Sequence, residues 1–149
     1  MSNKEKWMQY ALQEAEKALK DDEVPIGSIV VKDDKIIGRG FNKTESLNDC
    51  TAHAEIIAIT SAANSLEDWR LNDCSLYVTK EPCLMCFGAI VNSRIGSLYF
   101  GVKDSLNGFL AIIKSEKIYK NKHLKLIEAD LLEFDCKYII KNFFKNKRK

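Results

Sequence analysis

One histidine and two cysteines in this chain have the types and the spacing of metal ligands. His53 is followed two positions later by Glu55, and Cys83 and Cys86 form a C-x-x-C pair directly after Pro82. Imidazole and thiolate are ligands that Zn²⁺ prefers, and a site with three protein ligands keeps a fourth tetrahedral position open for water. Structural zinc sites are closed by a fourth protein ligand, so this set predicts a catalytic centre with one zinc ion per subunit.

Hydrolysis by activated water is the chemistry that such a site supports. Zinc lowers the pKa of a bound water toward about 7, which predicts a zinc-bound hydroxide as the nucleophile near neutral pH. Glu55 would take the proton of this water and pass it to a ring nitrogen and then to a leaving amine. Attack of hydroxide on an amidine carbon with loss of ammonia is therefore the predicted reaction class.

A C-x-x-C pair alone also fits a thioredoxin-like redox motif. The upstream His-Ala-Glu and the Pro before the first Cys favour metal ligation, because H-x-E with P-C-x-x-C is the known motif of the zinc deaminases. We expect the other cysteines (Cys50, Cys74 and Cys136) to be small buried apolar residues, and His123, in a Lys-rich stretch, to be a solvated surface residue.

Length and composition limit the class of protein. With 149 residues, 46% hydrophobic and 30% charged, the chain predicts one compact domain over residues 1–149. Five cysteines, an odd number, and a polar N-terminus without a signal peptide predict a cytoplasmic protein without a disulfide framework. No apolar run approaches the roughly 20 residues of a membrane span. The net charge of +2 is too small to identify a nucleic-acid partner.

The first half of the chain must position His53 and Glu55. Hydrophobic periodicity predicts an amphipathic helix over residues 4–19, followed by a hairpin of strands 26–31 and 35–40 around Asp33-Asp34. Residues 43–49 are polar and predict a loop. Thr51 is the predicted N-cap of a helix over residues 53–64.

The second half must position the two cysteines. We predict strands over 75–79 and 95–100, a Gly-bounded loop over 101–108, a weakly patterned stretch to 119, a short run at 124–127 and a final helix over 129–145. Between the two strands, Pro82 is predicted in the first turn of a helix that carries Cys83 and Cys86. These elements predict an α/β fold with a sheet of about five strands covered by helices.

Parallel βα units would explain how the two distant motifs meet. Alternating strands and helices predict right-handed crossovers between neighbouring parallel strands, whose carboxyl ends share one edge of the sheet. Cys83 and Cys86 would lie one turn apart on one helix face, near the positive end of the helix dipole, which lowers thiol pKa values. His53 would begin the neighbouring helix.

Beyond the zinc motifs, the chain resembles the bacterial tRNA-specific adenosine deaminases of the cytidine deaminase superfamily over nearly its whole length. The blocks that carry this resemblance are Glu23-Val24-Pro25-Ile26-Gly27, Gly40-Phe41-Asn42, Thr51-Ala52-His53-Ala54-Glu55, Trp69-Arg70-Leu71, Tyr77-Val78-Thr79, Glu81-Pro82-Cys83, Asn92-Ser93-Arg94-Ile95-Gly96, Phe100-Gly101, Lys103-Asp104 and Phe143-Phe144. The resemblance implies a three-layer cytidine deaminase-like fold, formation of inosine at the wobble position of an arginine tRNA, and a homodimer. Residues 105–109 depart from the small residues expected there.

The resemblance also implies roles for individual residues. It gives the zinc to His53, Cys83 and Cys86 and the proton transfer to Glu55. Asn42 matches the position that holds the target purine, in a pocket lined by the Ala54 backbone and by Val24 and Pro25. Asp104 and Asn121 match contacts to the nucleotide backbone or sugar, and Phe144, Lys147 and Arg148 fall where the last helix of the family meets the anticodon loop.

The C-terminal tail can be read in two ways from its residues alone. Residues 141–149 contain five basic residues and no acid, interleaved with Phe143 and Phe144. A Lys-rich terminus is commonly a solvated end, whereas aromatic and basic side chains together hold unstacked bases of single-stranded RNA. Adjacent helical residues point about 100° apart, so we expect one of the two phenylalanines in the core.

Two alternative functions remain open from the sequence. The same zinc site could deaminate a free base such as guanine or cytosine, or a nucleoside, in which case activity would not depend on the tail. The chain could also be a non-catalytic RNA-binding subunit that retains zinc for structure. The intact Glu55 and the open coordination position argue against this second alternative.

Overall fold

The computed structural model describes residues 2–113 and 123–148. The elements in chain order are α1 (Asn3–Lys20), β1 (Gly27–Lys32), β2 (Lys35–Phe41), α2 (Thr44–Leu47), α3 (Ala54–Leu66), β3 (Ser75–Lys80), α4 (Leu84–Asn92), β4 (Ser97–Val102), α5 (Phe109–Ile112), β5 (Leu126–Glu128) and α6 (Glu133–Lys147). No helix within these described ranges is long and apolar enough to cross a lipid bilayer.

The strands form one mixed sheet in the order β2-β1-β3-β4-β5. β1 is antiparallel to both β2 and β3, whereas β3, β4 and β5 are parallel to one another. One face packs against residues of α3 and α4, and the other packs against α1 and the start of α6. The predicted α/β class, with about five strands in a mixed sheet and helices on both faces, is confirmed.

Local sequence explains where several elements begin and turn. Ser2 and Glu5 form a capping box at the start of α1, each side chain satisfying a backbone N–H of the other. Asp33 and Asp34 both have positive φ, at 50° and 58°, as the tight turn between β1 and β2 requires. The predicted amphipathic helix and hairpin are confirmed, with boundaries that differ by one residue.

A close approach of α3 to the sheet positions the first motif. The alanines of α3 face β2, and a Cβ atom at Gly40 would collide with the backbone of Ala54 and Ala58. Only glycine permits this separation of helix and strand. The N-terminus of α3 is therefore held directly against the end of β2.

Three local predictions were wrong. The stretch at 43–49 contains the short helix α2 rather than a loop alone. Thr51 does not cap α3, because its N–H and hydroxyl both bond the Asp49 carboxylate and close a turn; His53 is the N-cap. Pro82 lies outside the first turn of α4, whose N-cap is Cys83.

The two motif-bearing units are not adjacent in the sheet, contrary to the prediction from alternating βα units. β1 lies between β2 and β3, and both of these strands are antiparallel to it. β2 and β3 consequently run in the same direction, so their carboxyl ends still share one edge. The helices that follow them, α3 and α4, begin at this edge and contact each other across one face.

Candidate metal centre and substrate pocket

The N-termini of α3 and α4 bring the two motifs into contact. His53 is the N-cap of α3, Cys83 is the N-cap of α4 and Cys86 is the third residue of α4. His53 Nδ1 lies 3.6 Å from Cys83 Sγ and 3.4 Å from Cys86 Sγ. Neither N-cap side chain bonds its own helix, which leaves both free to face a shared ion.

The three side chains influence the protonation of one another. A hydrogen bond from the Cys86 thiol lowers the pKa of Cys83 to about 4, against the opposing effect of burial. The same hydrogen bond raises the pKa of Cys86, and the neighbouring Cys83 raises the pKa of His53. One thiolate is thus already favoured, and a cation would replace the proton that the two cysteines share.

This donor set fits a divalent transition metal. One imidazole nitrogen and two sulfurs lie within 4.8 Å of one another, and no other His, Cys, Asp or Glu joins the cluster in the part of the chain that the structure describes. Nitrogen and sulfur donors suit zinc better than magnesium or calcium, and three protein ligands leave a position for water.

Glu55 lies beside this cluster in the first turn of α3. Its carboxyl group is close enough to Cys86 to raise the pKa of that thiol, and the residue is only 4% exposed. Burial raises the pKa of Glu55 to about 7. A carboxyl group with this pKa can both accept and release a proton near neutral pH.

A cavity of about 610 Å³ opens above the cluster and is large enough for a nucleoside. Val24, Asn42 and Ala54 contribute to its lining, as do Asp104 and Phe144. Pro25 is buried without lining the cavity, and Ile26 does line it. Of the predicted substrate contacts named in this paragraph, all except Pro25 line the cavity, where a substrate could reach them. Their roles stay predictions.

Asn42 is held by long hydrogen bonds at the carboxyl end of β2. Its Nδ2 donates to the Val24 carbonyl at 3.4 Å, and its Oδ1 accepts the Thr44 N–H at 3.3 Å. The side chain is 7% exposed. These contacts orient the amide toward the cavity, and their length leaves capacity for stronger bonds to a ligand.

Asp104 shapes the loop that carries it. Its Oδ1 accepts the N–H groups of Leu106 and Asn107, both at 3.0 Å, and its Oδ2 lies 3.2 Å from Lys80 Nζ. Burial alone would raise the pKa of Asp104, but these hydrogen bonds and the Lys80 charge lower it overall. The carboxylate therefore stays charged and stabilises a turn at the cavity wall.

The predicted tail residues at the end of α6 differ in their surroundings. Phe143 is 8% exposed and Phe144 is 41% exposed, which confirms that one phenylalanine is core. Lys147 Nζ pairs with Asp22 at 2.5 Å, so the structure turns this residue toward the end of α1. Arg148 is exposed at the C-cap of α6, and Asn121 lies outside the described residues.

The remaining cysteines and the second histidine differ in their exposure to solvent. Cys74 and Cys136 are 1% and 0% exposed, as expected, but Cys50 is exposed in the turn before α3, where that prediction was wrong. His123 is half-buried rather than fully solvated.

Sequence reasoning assigned no role to several residues that line the cavity. Glu81 is the clearest of these, a carboxylate only 5% exposed that stands two residues before Cys83. Its position between a buried strand and a candidate metal ligand was the available signal. Lys80, Thr44 and Asn107 were also missed, because ordinary polar residues at strand ends and in loops carry no distinctive pattern.

Comparison with known proteins identifies relatives of this chain. The family model of the MafB19-like deaminases matches residues 2–148. A tRNA-specific adenosine deaminase of Buchnera aphidicola subsp. Schizaphis graminum is 48% identical over 147 residues, covering 95% of this chain and 94% of the relative.

Two solved structures are also similar. One, from a study of A-to-I editing by tRNA:A34 deaminases at the wobble position of transfer RNA, has a TM-score of 0.82 and 39% identity, covering 90% of this chain and 98% of its own. A guanine deaminase from Bacillus subtilis has a TM-score of 0.65 and 36% identity, covering 69% of this chain and 66% of its own.

Proposed function

Because the chain belongs to the MafB19-like deaminase family, and within it to the tRNA-specific adenosine deaminases, we propose that it hydrolyses an adenosine of a tRNA anticodon loop to inosine. The proposed target is the wobble adenosine of an arginine tRNA. The observation that carries this proposal is the cluster of His53, Cys83 and Cys86 with the buried Glu55 beside it, at the floor of a cavity of nucleoside size. We expect the enzyme to act in the cytoplasm, where bacterial tRNA is processed.

His53, Cys83 and Cys86 would hold one zinc ion, and zinc supplies Lewis-acid activation of water near neutral pH. A water oxygen bonds to the amidine carbon of adenine, and the bond from this carbon to the exocyclic amine breaks. Glu55 carries the water proton to the ring nitrogen and then a proton to the leaving amine. Ammonia and inosine are the products, and Glu55 returns to its starting state.

A base inside a stacked loop cannot reach this centre, so the target nucleotide must leave its stack. Asn42 has amide donor and acceptor atoms at the cavity wall, suited to the edge of a purine. Phe144 lies at the same cavity and is exposed enough for an aromatic stack with the target or a neighbouring base. Recognition then depends on the shape of the loop rather than on duplex sequence.

The direct test measures inosine by mass spectrometry in an arginine tRNA anticodon stem-loop, with and without a chelator. We expect conversion by the zinc-loaded protein, loss of conversion after metal removal, and recovery when zinc is restored. A stem-loop that carries guanosine at the target position serves as the negative substrate. Full zinc content without inosine would contradict the proposal.

Deamination of a free base is the second candidate, favoured by the similarity to the guanine deaminase. It predicts turnover of free guanine or cytosine and no effect of deleting residues 145–149. The same assay separates the two candidates when free bases replace the stem-loop. A zinc-containing protein that binds the stem-loop and releases no ammonia from any of these substrates would instead favour a non-catalytic subunit.

We also propose a homodimer as the working unit. Leu84 and Met85, at the start of α4, are 48% and 38% exposed, and Leu47 of α2 is 57% exposed. Exposed apolar residues of this size favour burial against a second protein surface. Sedimentation should detect a dimer, and Met85→Glu should shift it toward monomer; a monomeric wild-type protein would contradict this proposal.

A further inference from the structure

The carboxylate of Glu81 is buried at the wall of the cavity and has no part in the proposed proton transfer. Its Oε1 accepts the Asp104 N–H at 2.9 Å, and its Oε2 accepts the Leu110 N–H at 2.9 Å. The two oxygens therefore hold the two ends of residues 104–110 (the 104–110 loop), which comprise the loop after β4 and the first two residues of α5. A buried charge that accepts backbone N–H groups forms stronger bonds than a neutral acceptor would.

Backbone contacts around Glu81 tie the same loop to the segment that carries Cys83. The Glu81 N–H donates to the Val102 carbonyl at 2.8 Å, and the Phe109 N–H donates to the Pro82 carbonyl at 3.0 Å. Gly108 also forms an isolated β-bridge with Cys83. The loop is thus fastened to residues 81–83 on both sides of the Glu81 carboxylate.

Gly108 permits this arrangement. A Cβ atom at this position would collide with the Glu81 carboxylate and would lie 2.6 Å from the Asp104 carbonyl oxygen. Any larger residue would force the carboxylate or the loop to move. The position of the Glu81 carboxylate therefore requires a glycine at residue 108.

The fastened loop carries residues that face the cavity. Asp104 and Asn107 contribute to the lining. Beyond them, Phe109 is fully buried and stacks on Phe87 with ring centroids 4.1 Å apart. One end of the loop is therefore fixed in the core, and Glu81 bonds both this end and the start of the part at the cavity.

We propose that Glu81 is a positioning residue that holds the 104–110 loop in the shape required for substrate binding. The substrate named in the test rests on the proposed function. Glu81 lies outside the cluster of metal-ligating atoms among the described residues. Both of its oxygens are occupied by backbone donors, so it acts through Asp104 and Asn107 rather than on the reacting atoms.

The test compares Glu81→Gln with Glu14→Gln. Glu14 is a suitable control because its carboxylate is also buried, at 2% exposure, but pairs with Lys17 and Arg39 away from the cavity. Three quantities are measured in each zinc-loaded variant: amide exchange at Asp104 and Leu110, zinc content, and kcat and KM for the stem-loop.

Glu81→Gln keeps the size of the side chain but turns one acceptor into an NH₂ donor that faces a backbone N–H. We expect about tenfold faster exchange at Asp104 and Leu110, a KM about tenfold higher, and kcat within about threefold of wild type. Zinc content should not change. Glu14→Gln should leave KM and these amides unchanged.

Gly108→Ala provides the second variant. It leaves the Glu81 side chain chemically intact, but its added Cβ atom would push the carboxylate out of position. The same rise in KM and in amide exchange is expected. Loss of zinc from Glu81→Gln would overturn the proposal by assigning Glu81 to the metal site, and unchanged exchange and KM in both variants would also overturn it. If wild-type protein forms no inosine, the proposed function fails, and amide exchange alone then decides whether Glu81 holds the loop.

Discussion

Glu55 is a carboxyl group whose surroundings suit it to proton transfer. The start of α3 buries its side chain beside Cys86, and this burial raises its pKa to about 7. Glu23 is also hardly exposed to solvent, but it accepts several hydrogen bonds that outweigh the effect of burial, and its pKa is lowered. Burial dominates the pKa of Glu55 and hydrogen bonding dominates the pKa of Glu23, so only Glu55 is predicted to exchange protons near neutral pH.

Replacing Glu55 should abolish turnover without removing the metal. Glu55→Gln keeps the volume of the side chain, but the amide can no longer accept the water proton. The value of kcat should therefore fall by about 10²–10⁴-fold. Inosine formation and zinc content are measured on the same preparation. Glu16→Gln, at an exposed position of α1, is the control and should behave as wild type. Retained turnover in Glu55→Gln would rule out this residue as the proton carrier.

At the scale of elements, short anchors hold the segments that line the cavity. The Glu23 carboxylate joins the end of α1 to α2: it accepts the Glu45 N–H at 3.1 Å and both the N–H and the hydroxyl of Ser46, at 2.6 Å and 2.5 Å. Glu81 does the same for the loop before α5. Two buried carboxylates thus stabilise two segments that contribute residues to the lining of one cavity.

The contribution of Glu23 to stability should depend on pH. Burial acts to raise its pKa, but the bonds from Ser46 and Glu45 outweigh it and leave the pKa below the usual value of 4.5. A lowered folded-state pKa means that the stabilisation is present above about pH 4.5 and is lost as the pH falls further.

We therefore expect Glu23→Gln to lower the free energy of unfolding by about 1–3 kcal/mol at pH 7, with a smaller difference at pH 3.5. Urea denaturation at the two pH values measures this change. Asp21→Asn, at an exposed neighbouring position, is the control. An equal difference at both pH values would contradict the assignment of the effect to the charged form.

The seating of α6 on the sheet depends on Gly101 of β4. A Cβ atom at this position would collide with the Cys136 side chain and lie 2.6 Å from the Thr79 carbonyl oxygen. Gly101→Ala should lower the free energy of unfolding by about 1–3 kcal/mol, as measured by urea denaturation. Gly96→Ala is the matched control, since its Cβ would meet atoms no closer than 3.7 Å and should change stability by less than about 1 kcal/mol.

At the scale of the whole molecule, the C-terminal helix α6 meets the segment that follows α1, beside the cavity. α6 runs from the end of β4 toward the end of α1, where Lys147 pairs with Asp22. Both side chains of this pair are largely exposed, so the pair adds little stability. The pair marks where the last turn of α6 approaches the segment after α1, next to the turn from which Phe144 lines the cavity.

Deleting residues 145–149 should weaken binding of the stem-loop and reduce its salt dependence. The deletion removes Lys145, Lys147, Arg148 and Lys149, and the slope of log K against log salt should fall by about 0.7 for each phosphate that these side chains neutralise. Fluorescence anisotropy at several salt concentrations measures the slope. A double variant with Lys32→Ala and Lys35→Ala, at the opposite edge of the sheet, should leave the slope unchanged. If the deletion also leaves it unchanged, the tail is a solvated end.

The sequence by itself determined the features that depend on residue type and near neighbours. The ligand types and their spacing predicted the metal centre that His53, Cys83 and Cys86 can form. Periodicity predicted α1, and Asp33-Asp34 predicted the hairpin, because helix faces and tight turns are set by residues within a few positions of one another.

Only the tertiary structure decided the features that depend on distant contacts. Local patterns do not specify which strand edges pair, so the position of β1 between β2 and β3 could not be predicted. The same holds for Glu81, whose partners Asp104 and Leu110 lie 23 and 29 residues away. The role of a carboxylate near a candidate metal ligand cannot be predicted until folding brings its backbone donors to it. The candidate metal ligands could therefore be predicted from the sequence, whereas the contacts that hold the loop at the cavity wall could not.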